Sequence, residues 1–579
     1  MDAGDAMVED EDVAMLSLMH VQSASTTPAD PASSRAPPSE PTMMNDQALD
    51  PNVDDTLEQY FRADEPADER EAGKLEGVTP EDVYRAKLAE LHQLKQQNTL
   101  VAIDRGELRA GSKIVGTKWV ITNKGTTTAP KVKARLVAQE FATDKSLDFF
   151  SGTPALAAVK MLLADVTTGP PGRCVLTLDI TGAFLYGEMV RDVAVKLPAE
   201  WNAGPTEVGR LIKSLYGLRD APSIWADHMR RTLVSLGFLH SPTVPGIFSH
   251  PQRQMKLACH VDDVLATGWP KDLTWLQESL QKVYKLKYDL MGTNYSKEAY
   301  FLKRKIEWTP NGIIWTSAST HAELLIQRWA RPTVCTLPVA AEASAEPSGQ
   351  LLPADLAKAF RAGAARVQYL CHDRADLALA AVILATRMAA PRESDLAILS
   401  RVGSYLRYRP VMQLHFPFKE HGHPGLQVYT DSDWASCQLT RRSRSGGVLM
   451  YRGCVVLHYS RVQDTVALSS GEAELKSTCK GVAEAVGLQE LSNFLTGCPT
   501  VLEHMGDATA ALGILKRHGS GGLKHLSVKQ LWLQDVIRRP HNSTIKIPRD
   551  LNVADALCSV PRVDTLDKQL ARMRYQTPA

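Results

Sequence analysis

Leu257-Ala258-Cys259-His260-Val261-Asp262-Asp263-Val264-Leu265-Ala266 sets two adjacent carboxylates between two short apolar runs, and its reading decides the rest of the chain. Apolar runs of this length around a polar pair read as a β-hairpin whose tight turn carries the charges. Neighbouring carboxylates repel each other and are costly to desolvate, so a pair at a buried edge calls for a counter-cation. Mg2+ prefers oxygen ligands and is commonly held by one or two carboxylates together with substrate phosphates. Two such ions about 4 Å apart serve the attacking and the leaving oxygen of a phosphoryl transfer. A bare Asp-Asp pair carries little weight, because Asp54 and Asp55 repeat it inside an acidic stretch. The apolar flanks matter, and so does a third carboxylate, Asp179, near the end of a compact strand read over Cys174–Ile180.

Beyond Asp179 the sequence becomes specific. Leu178-Asp179-Ile180-Thr181-Gly182-Ala183-Phe184-Leu185-Tyr186-Gly187 resembles the first catalytic motif of the reverse transcriptases of copia-type LTR retrotransposons. Lys213-Ser214-Leu215-Tyr216-Gly217-Leu218-Arg219-Asp220-Ala221-Pro222-Ser223-Ile224-Trp225 resembles that family's next motif, and His260-Val261-Asp262-Asp263 resembles its Tyr-Val-Asp-Asp box. Gly116-Thr117-Lys118-Trp119-Val120 and Lys133-Ala134-Arg135-Leu136-Val137-Ala138 are similar to its fingers region, so the likeness runs in family order over about residues 85–415. The resemblance implies an α+β right-hand polymerase with fingers, palm and thumb or connection. In it Asp179, Asp262 and Asp263 would hold two Mg2+ ions, with Mn2+ as a substitute. The 3′-hydroxyl of a DNA primer on an RNA template would attack the α-phosphate of a dNTP, and pyrophosphate would leave. Lys133 and Arg135 would meet the triphosphate, a task suited to a Lys point charge and to Arg's planar donor fork. Phe184 stands where such polymerases exclude a ribose 2′-hydroxyl, and Gly217 would permit close backbone approach at the nucleotide pocket. Read without the family, Phe184 is core, Lys133 and Arg135 are solvated strand residues, and Gly217 is a turn. Two departures stand out: His260 replaces the usual Tyr, and Phe301-Leu302-Lys303 replaces a usual Phe-Leu-Gly.

A second set of acids lies at element ends. Tyr429-Thr430-Asp431-Ser432-Asp433-Trp434-Ala435 ends a strand on an acid, Ser469-Ser470-Gly471-Glu472-Ala473-Glu474 opens a long helix with a capping-box signature, Met505-Gly506-Asp507 ends another strand, and Asn552-Val553-Ala554-Asp555 opens a helix. Four such carboxylates converging on one sheet edge could bind two Mg2+ and hydrolyse a phosphodiester with activated water. Spacing alone is weak, because element ends are normally polar. The same segments, with Arg441-Arg442-Ser443, Ser445-Gly446 and Lys524-His525, resemble the RNase H domain that follows the polymerase in the copia family, over about residues 426–560. That resemblance implies an α/β RNase H-like fold, metal ligands Asp431, Glu474, Asp507 and Asp555, and an RNA–DNA hybrid as substrate. A helical wheel does not choose between Glu472 and Glu474; the family motif favours Glu474. His525 reads as a surface histidine near that site.

The chain of 579 residues exceeds what one hydrophobic core supports. Residues 1–80 read as a disordered acidic tail, 81–318 as fingers and palm, 319–425 as a helical thumb or connection, 426–562 as the RNase H-like domain and 563–579 as a C-terminal tail. The net charge of +1 conceals an asymmetry. Residues 1–75 hold 18 acidic against 4 basic side chains, leaving 62 basic against 47 acidic in the remainder, a balance that suits a polyanionic partner. No apolar stretch is long enough to span a bilayer, so no membrane partner is expected. Nine scattered cysteines without a Cys-x-x-Cys pair fit a reducing, intracellular setting, and the resemblance implies a cytoplasmic virus-like particle as well as the nucleus. The oligomeric state is not legible. The sequence carries neither an aspartic-protease triplet nor a zinc array, and the reading is the carboxy-terminal part of a Pol polyprotein. The rival reading is a truncated or domesticated remnant that binds nucleic acid without catalysis. A purely structural protein would require the ordered motifs to be accidental.

Overall fold

The computed structural model describes residues 77–109, 111–126, 128–141, 154–418, 424–519 and 528–578. The acidic stretch up to residue 76 lies outside these residues, as do Lys524 and His525. The described chain is mixed α and β, with sheets of four, six, five, five and two strands.

The strand Cys174–Ile180 lies within a six-stranded sheet in the order Leu286–Met291, Cys174–Ile180, Asp263–Gly268, Met255–His260, Ile247–His250, Leu239–His240. Its apolar residues do not alternate with polar ones because both faces of the sheet are covered. Val175, Ala258 and Leu265 join the core around the helix Leu156–Thr168. Leu176, Leu178, Leu257 and Val264 join a second core with Trp225, Met229 and Leu233 of the helix Ala221–Ser235, and with Leu273 and Leu276 of the helix Pro270–Gln281.

Upstream, the helix Pro80–Gln96 starts at Thr79, whose Oγ1 accepts from the Asp82 N–H at 3.1 Å while the Asp82 carboxylate accepts from the Thr79 N–H at 3.2 Å. This reciprocal cap satisfies two of the helix's orphan donors. The helix packs on the antiparallel hairpin Thr117–Asn123 and Val132–Ala138. Leu100–Asp104, Glu207–Leu211, Val193–Val195 and Lys113–Val115 form a separate four-stranded sheet beside it.

Residues 319–425 are largely helical, with Thr320–Trp329, Ala354–Leu370, Ala378–Arg387 and Asp395–Tyr408 around their own core. A boundary at residue 318 nevertheless cuts through a sheet. Glu298–Phe301, Arg304–Thr309 and Gly312–Thr316 continue into Gln413–Pro417, and Tyr575–Gln576 closes the far edge. The segment set apart as a C-terminal tail is therefore folded. Its helix Val563–Arg572 buries Leu566 and Leu570, and Met573 and Tyr575 enter the main core. Apolar burial of two to four such side chains, each worth roughly 1.5–3 kcal/mol, outweighs the fraying expected of a chain end.

The last unit is a five-stranded sheet in the order Cys454–Val462, Arg444–Tyr451, Leu426–Ser432, Leu502–Gly506, Asn542–Lys546. The first three strands pair antiparallel and the last two are added parallel. The helix Ser470–Thr496 crosses it and stops at Gly497, which adopts the left-handed conformation (φ 70°) common after a helix end.

The helix Leu156–Thr168 joins the two halves. It contacts both the six-stranded sheet and the strand Cys454–Val462, which is why Met161, Leu162 and Leu163 are all fully buried. Its two buried charges have partners. Lys160 pairs with Asp373 at 3.4 Å, and Asp165 meets Lys256 on one side and Arg452 at 3.0 Å on the other.

Two candidate carboxylate centres

The expected hairpin forms as Met255–His260 and Asp263–Gly268, joined by a two-residue turn of Val261 and Asp262. Asp263 is the register partner of Asp179 on the neighbouring strand, so both lie on one face at the same end of the sheet. Asp262 is tied to the same place, because its carbonyl accepts from the Ile180 N–H at 3.0 Å. Asp179 is exposed and Asp262 and Asp263 are half-buried. Val261 takes a positive φ of 51°, which is uncommon for a β-branched residue. Trp225, fully buried, donates its indole N–H to the Val261 carbonyl at 2.6 Å and holds that conformation. The sequence reading quoted Trp225 but gave it no role; the bond spans 36 residues, and local pattern contains no sign of it.

The other expected residues lie on neighbouring elements, and of them Lys133 feels the charge of Asp179. Lys133 and Arg135, half-buried on the strand Val132–Ala138, lie near the buried Glu90 of the first helix. Burial and the adjacent Arg135 lower the Lys133 ammonium, while Glu90 and Asp179 oppose that shift. The Arg135 guanidinium sits 5.3 Å from the Tyr216 ring centre, and Phe184 meets the same ring edge-on at 5.5 Å. Gly217 has φ 83°, and a Cβ there would stand 2.1 Å from the Ala138 carbonyl oxygen. Its close approach is thus to the Val132–Ala138 strand, which also receives the Tyr216 carbonyl through the Ala138 N–H at 2.7 Å. His260 is buried, and Leu302 and Lys303 both have positive φ (50° and 60°) in a two-residue hairpin turn. Lys303 therefore stands in a conformation that glycine adopts at little cost.

The second centre is built on a buried acid, Asp431, with Cys558 buried beside it and Glu474, Asp507 and Asp555 half-buried around it. Donor atoms of Asp431, Glu474 and Asp507 lie within 4.8 Å of one another, and those of Asp431, Asp555 and Cys558 form an overlapping triplet. Among the described residues these are the triplets gathered so tightly. The four expected acids are thus two groups that share Asp431. Cys558 was not foreseen; its S–H donates to the Asp431 carboxylate at 2.7 Å. Asn552, fully buried, donates to the Thr430 carbonyl at 3.0 Å and reaches the carboxylates of Asp431 and Asp507 at 3.4 Å each. The segment can lie this close because the neighbouring strand carries Gly446, whose Cβ would meet the Ala554 carbonyl at 2.5 Å.

The alternative Glu472 is used elsewhere. It accepts from the Leu468 N–H at 2.8 Å and pairs with Lys476 at 3.0 Å, at the helix end where Ser469 caps the Glu472 N–H at 3.2 Å. Burial, and then the charges of its neighbours, push Asp431 and Glu474 well above the ordinary carboxylate range. Arg549, 3.5 Å from Asp555, supplies a cation at the rim. An oxygen-rich site in which Asp431 and Glu474 resist ionisation suits a divalent cation, which would neutralise the repulsion.

Residues 103–319 match the family described as reverse transcriptase (RNA-dependent DNA polymerase). The chain is similar to the retrovirus-related Pol polyprotein from transposon RE1 of Arabidopsis thaliana, 27% identical over 80% of this chain and 31% of that protein. It is also similar to that from transposon TNT 1-94 of Nicotiana tabacum, 24% identical over 85% of this chain and 38% of that protein. The chain thus spans about a third of the length of these relatives. A foamy viral protease-reverse transcriptase, solved in complex with an RNA/DNA hybrid, aligns with a TM-score of 0.44 and 12% identity, over 82% of this chain and 54% of that one.

Proposed function

The chain belongs to the copia-type retrotransposon Pol polyproteins, and from that premise we propose that it is an RNA-directed DNA polymerase joined to a ribonuclease for the RNA strand of RNA–DNA hybrids. The observation that carries this reading is the presence of two separate carboxylate centres, one at the Asp179–Asp263 register pair and one around Asp431.

In the first, palm-like centre, Asp179, Asp262 and Asp263 would hold Mg2+. Lys133 and Arg135 orient the triphosphate of a dNTP, and Phe184, braced by Tyr216, closes the sugar side against a 2′-hydroxyl. Trp225 keeps the Val261–Asp262 turn in place. In the second, RNase H-like centre, Asp431, Glu474, Asp507 and Asp555 would hold Mg2+, with Asn552 and Cys558 fixing the orientation of Asp431. The bound ions would supply charge neutralisation and acidify the attacking hydroxyl or water. RNA template, DNA primer and hybrid are the partners this chemistry requires, bound mainly through their backbones and so sensitive to salt. A cytoplasmic particle and the nucleus are the compartments in which such a reaction would run.

The test uses purified protein with poly(rA)·oligo(dT), dTTP and Mg2+, alongside a labelled hybrid. Asp262→Asn should abolish synthesis and spare hybrid cleavage, and Asp507→Asn should do the reverse. Loss of both activities in either variant contradicts two independent centres. Hybrid binding without any Mg2+-dependent turnover in the unaltered protein favours the binding-only remnant.

A further inference from the structure

Three large apolar side chains stand exposed on the two loops that lead from Asp431 and into the helix of Glu474. Trp434 is 58% exposed, Val466 45% and Leu468 67%. Trp434 lies three residues beyond Asp431, on the loop leaving that strand. Val466 and Leu468 precede Ser469, the cap of the helix that carries Glu474. The two loops are stitched together, because the Trp434 indole N–H donates to the carbonyl of the buried Ala467 at 3.2 Å. Leu468 is further fixed by its N–H bond to Glu472. The indole is therefore held by its polar edge with its face left to solvent. Exposed apolar clusters of this kind mark contact surfaces. This one adjoins the carboxylates along the chain, through Asp431 on the strand before Trp434 and Glu474 on the helix after Leu468, and Arg441, exposed on the Trp434 loop, adds positive charge to that loop.

We propose that Trp434, Val466 and Leu468 form a platform for a nucleotide of the RNA–DNA hybrid that flanks the cleaved phosphodiester, a role that rests on the ribonuclease reading of the adjoining acids. An aromatic face takes any base or sugar, so the platform adds affinity and position without reading sequence. Trp434 acts as a positioning residue: it lays the strand so that its phosphate reaches Asp431 and Glu474.

Full-length protein, with Asp507→Asn to prevent cutting, is irradiated with hybrids carrying 5-iodouracil in one strand or the other, and the joined peptide is identified by mass spectrometry. The expected adduct is at Trp434. In parallel, Trp434→Ala in otherwise unaltered protein should raise KM for hybrid cleavage roughly tenfold, with kcat within about twofold and primer extension unchanged. Trp434→Phe should restore most of the affinity. An adduct elsewhere with KM unmoved overturns the platform while leaving Asp507-dependent cleavage intact. An adduct at Trp434 in a protein that never cuts hybrids keeps the platform and overturns the ribonuclease reading. A fall in kcat alone, or self-association that Trp434→Ala abolishes, assigns the residue to folding or to a second copy of the chain and defeats the proposal.

Discussion

Asp179 and Asp431 both stand near the end of a sheet strand beside other acids, yet their surroundings are opposite. Asp179 is exposed, and its neighbours Asp262 and Asp263 are half-buried around a turn held from below by Trp225. Asp431 is only 6% exposed, with Glu474 and Asp507 within 4.8 Å and with Asn552 and Cys558 donating to it. The first arrangement keeps one acid in water and the others partly so, where their mutual repulsion is partly screened and cations and substrate could assemble together. The second gathers its acids in advance and stores the repulsion in the fold. The same residue type at the same kind of position would therefore meet a cation under different conditions.

The largest test of this contrast lies in the first centre's dependence on one close approach. Gly217→Ala places a Cβ against the Ala138 carbonyl in a backbone conformation that disfavours it. Displacing the Val132–Ala138 strand by about 1 Å should cut primer extension about a hundredfold, while hybrid cleavage by the same protein stays intact. Equal loss of both activities breaks the separation.

The next test is the pH dependence of the Mg2+ requirement. Burial and neighbouring acids raise Asp431 and Glu474, so a cation bound there would have to displace protons. The Mg2+ midpoint for cleavage should rise roughly tenfold per pH unit of acidification for each proton displaced, and more steeply than the midpoint for synthesis. The same shift acts on stability. A carboxyl whose folded pKa is raised binds its proton more tightly folded than unfolded. Its contribution to stability is therefore present below the ordinary carboxylate pKa and lost as pH climbs from there to the raised value. Metal-free protein should melt at lower temperature as pH rises through that window, and added Mg2+ should reverse the loss.

Trp225→Phe keeps the aromatic packing but removes the bond to the Val261 carbonyl. A lost bond of about 1 kcal/mol should lower synthesis about fivefold without touching cleavage. The smallest effect belongs to Lys303→Gly, which relieves a left-handed backbone at the hairpin turn. It should raise stability by about 1 kcal/mol in a thermal melt, with both activities unchanged.

How much of this was legible depends on the range of the forces involved. Cys174–Ile180 was readable to its ends because an apolar run bounded by polar residues specifies a covered strand. The hairpin was readable because its apolar flanks demanded one, although its turn carries Asp262 alone of the two aspartates and Asp263 already belongs to the strand. The likeness to a family supplied the order of the acids and preferred Glu474; Glu472 pairs instead with Lys476, a contact the helical wheel did not distinguish. Contacts between distant segments left no trace in local pattern. The Trp225 bond, the Cys558 thiol beside Asp431 and the return of Tyr575 to the sheet edge at Leu414 all belong to this class. A two-residue strand such as Tyr575–Gln576 has no periodicity to detect.

The helix Leu156–Thr168 is anchored through one carboxylate, Asp165, which pairs with Lys256 of the six-stranded sheet and with Arg452 of the other half, and the helix is fully buried along its middle. A rod clamped in this way works as a ruler. If both centres act on one duplex, the number of base pairs between the growing end and the cut is a constant of the molecule. Digestion products trailing a stalled primer would then share a single length, independent of template sequence.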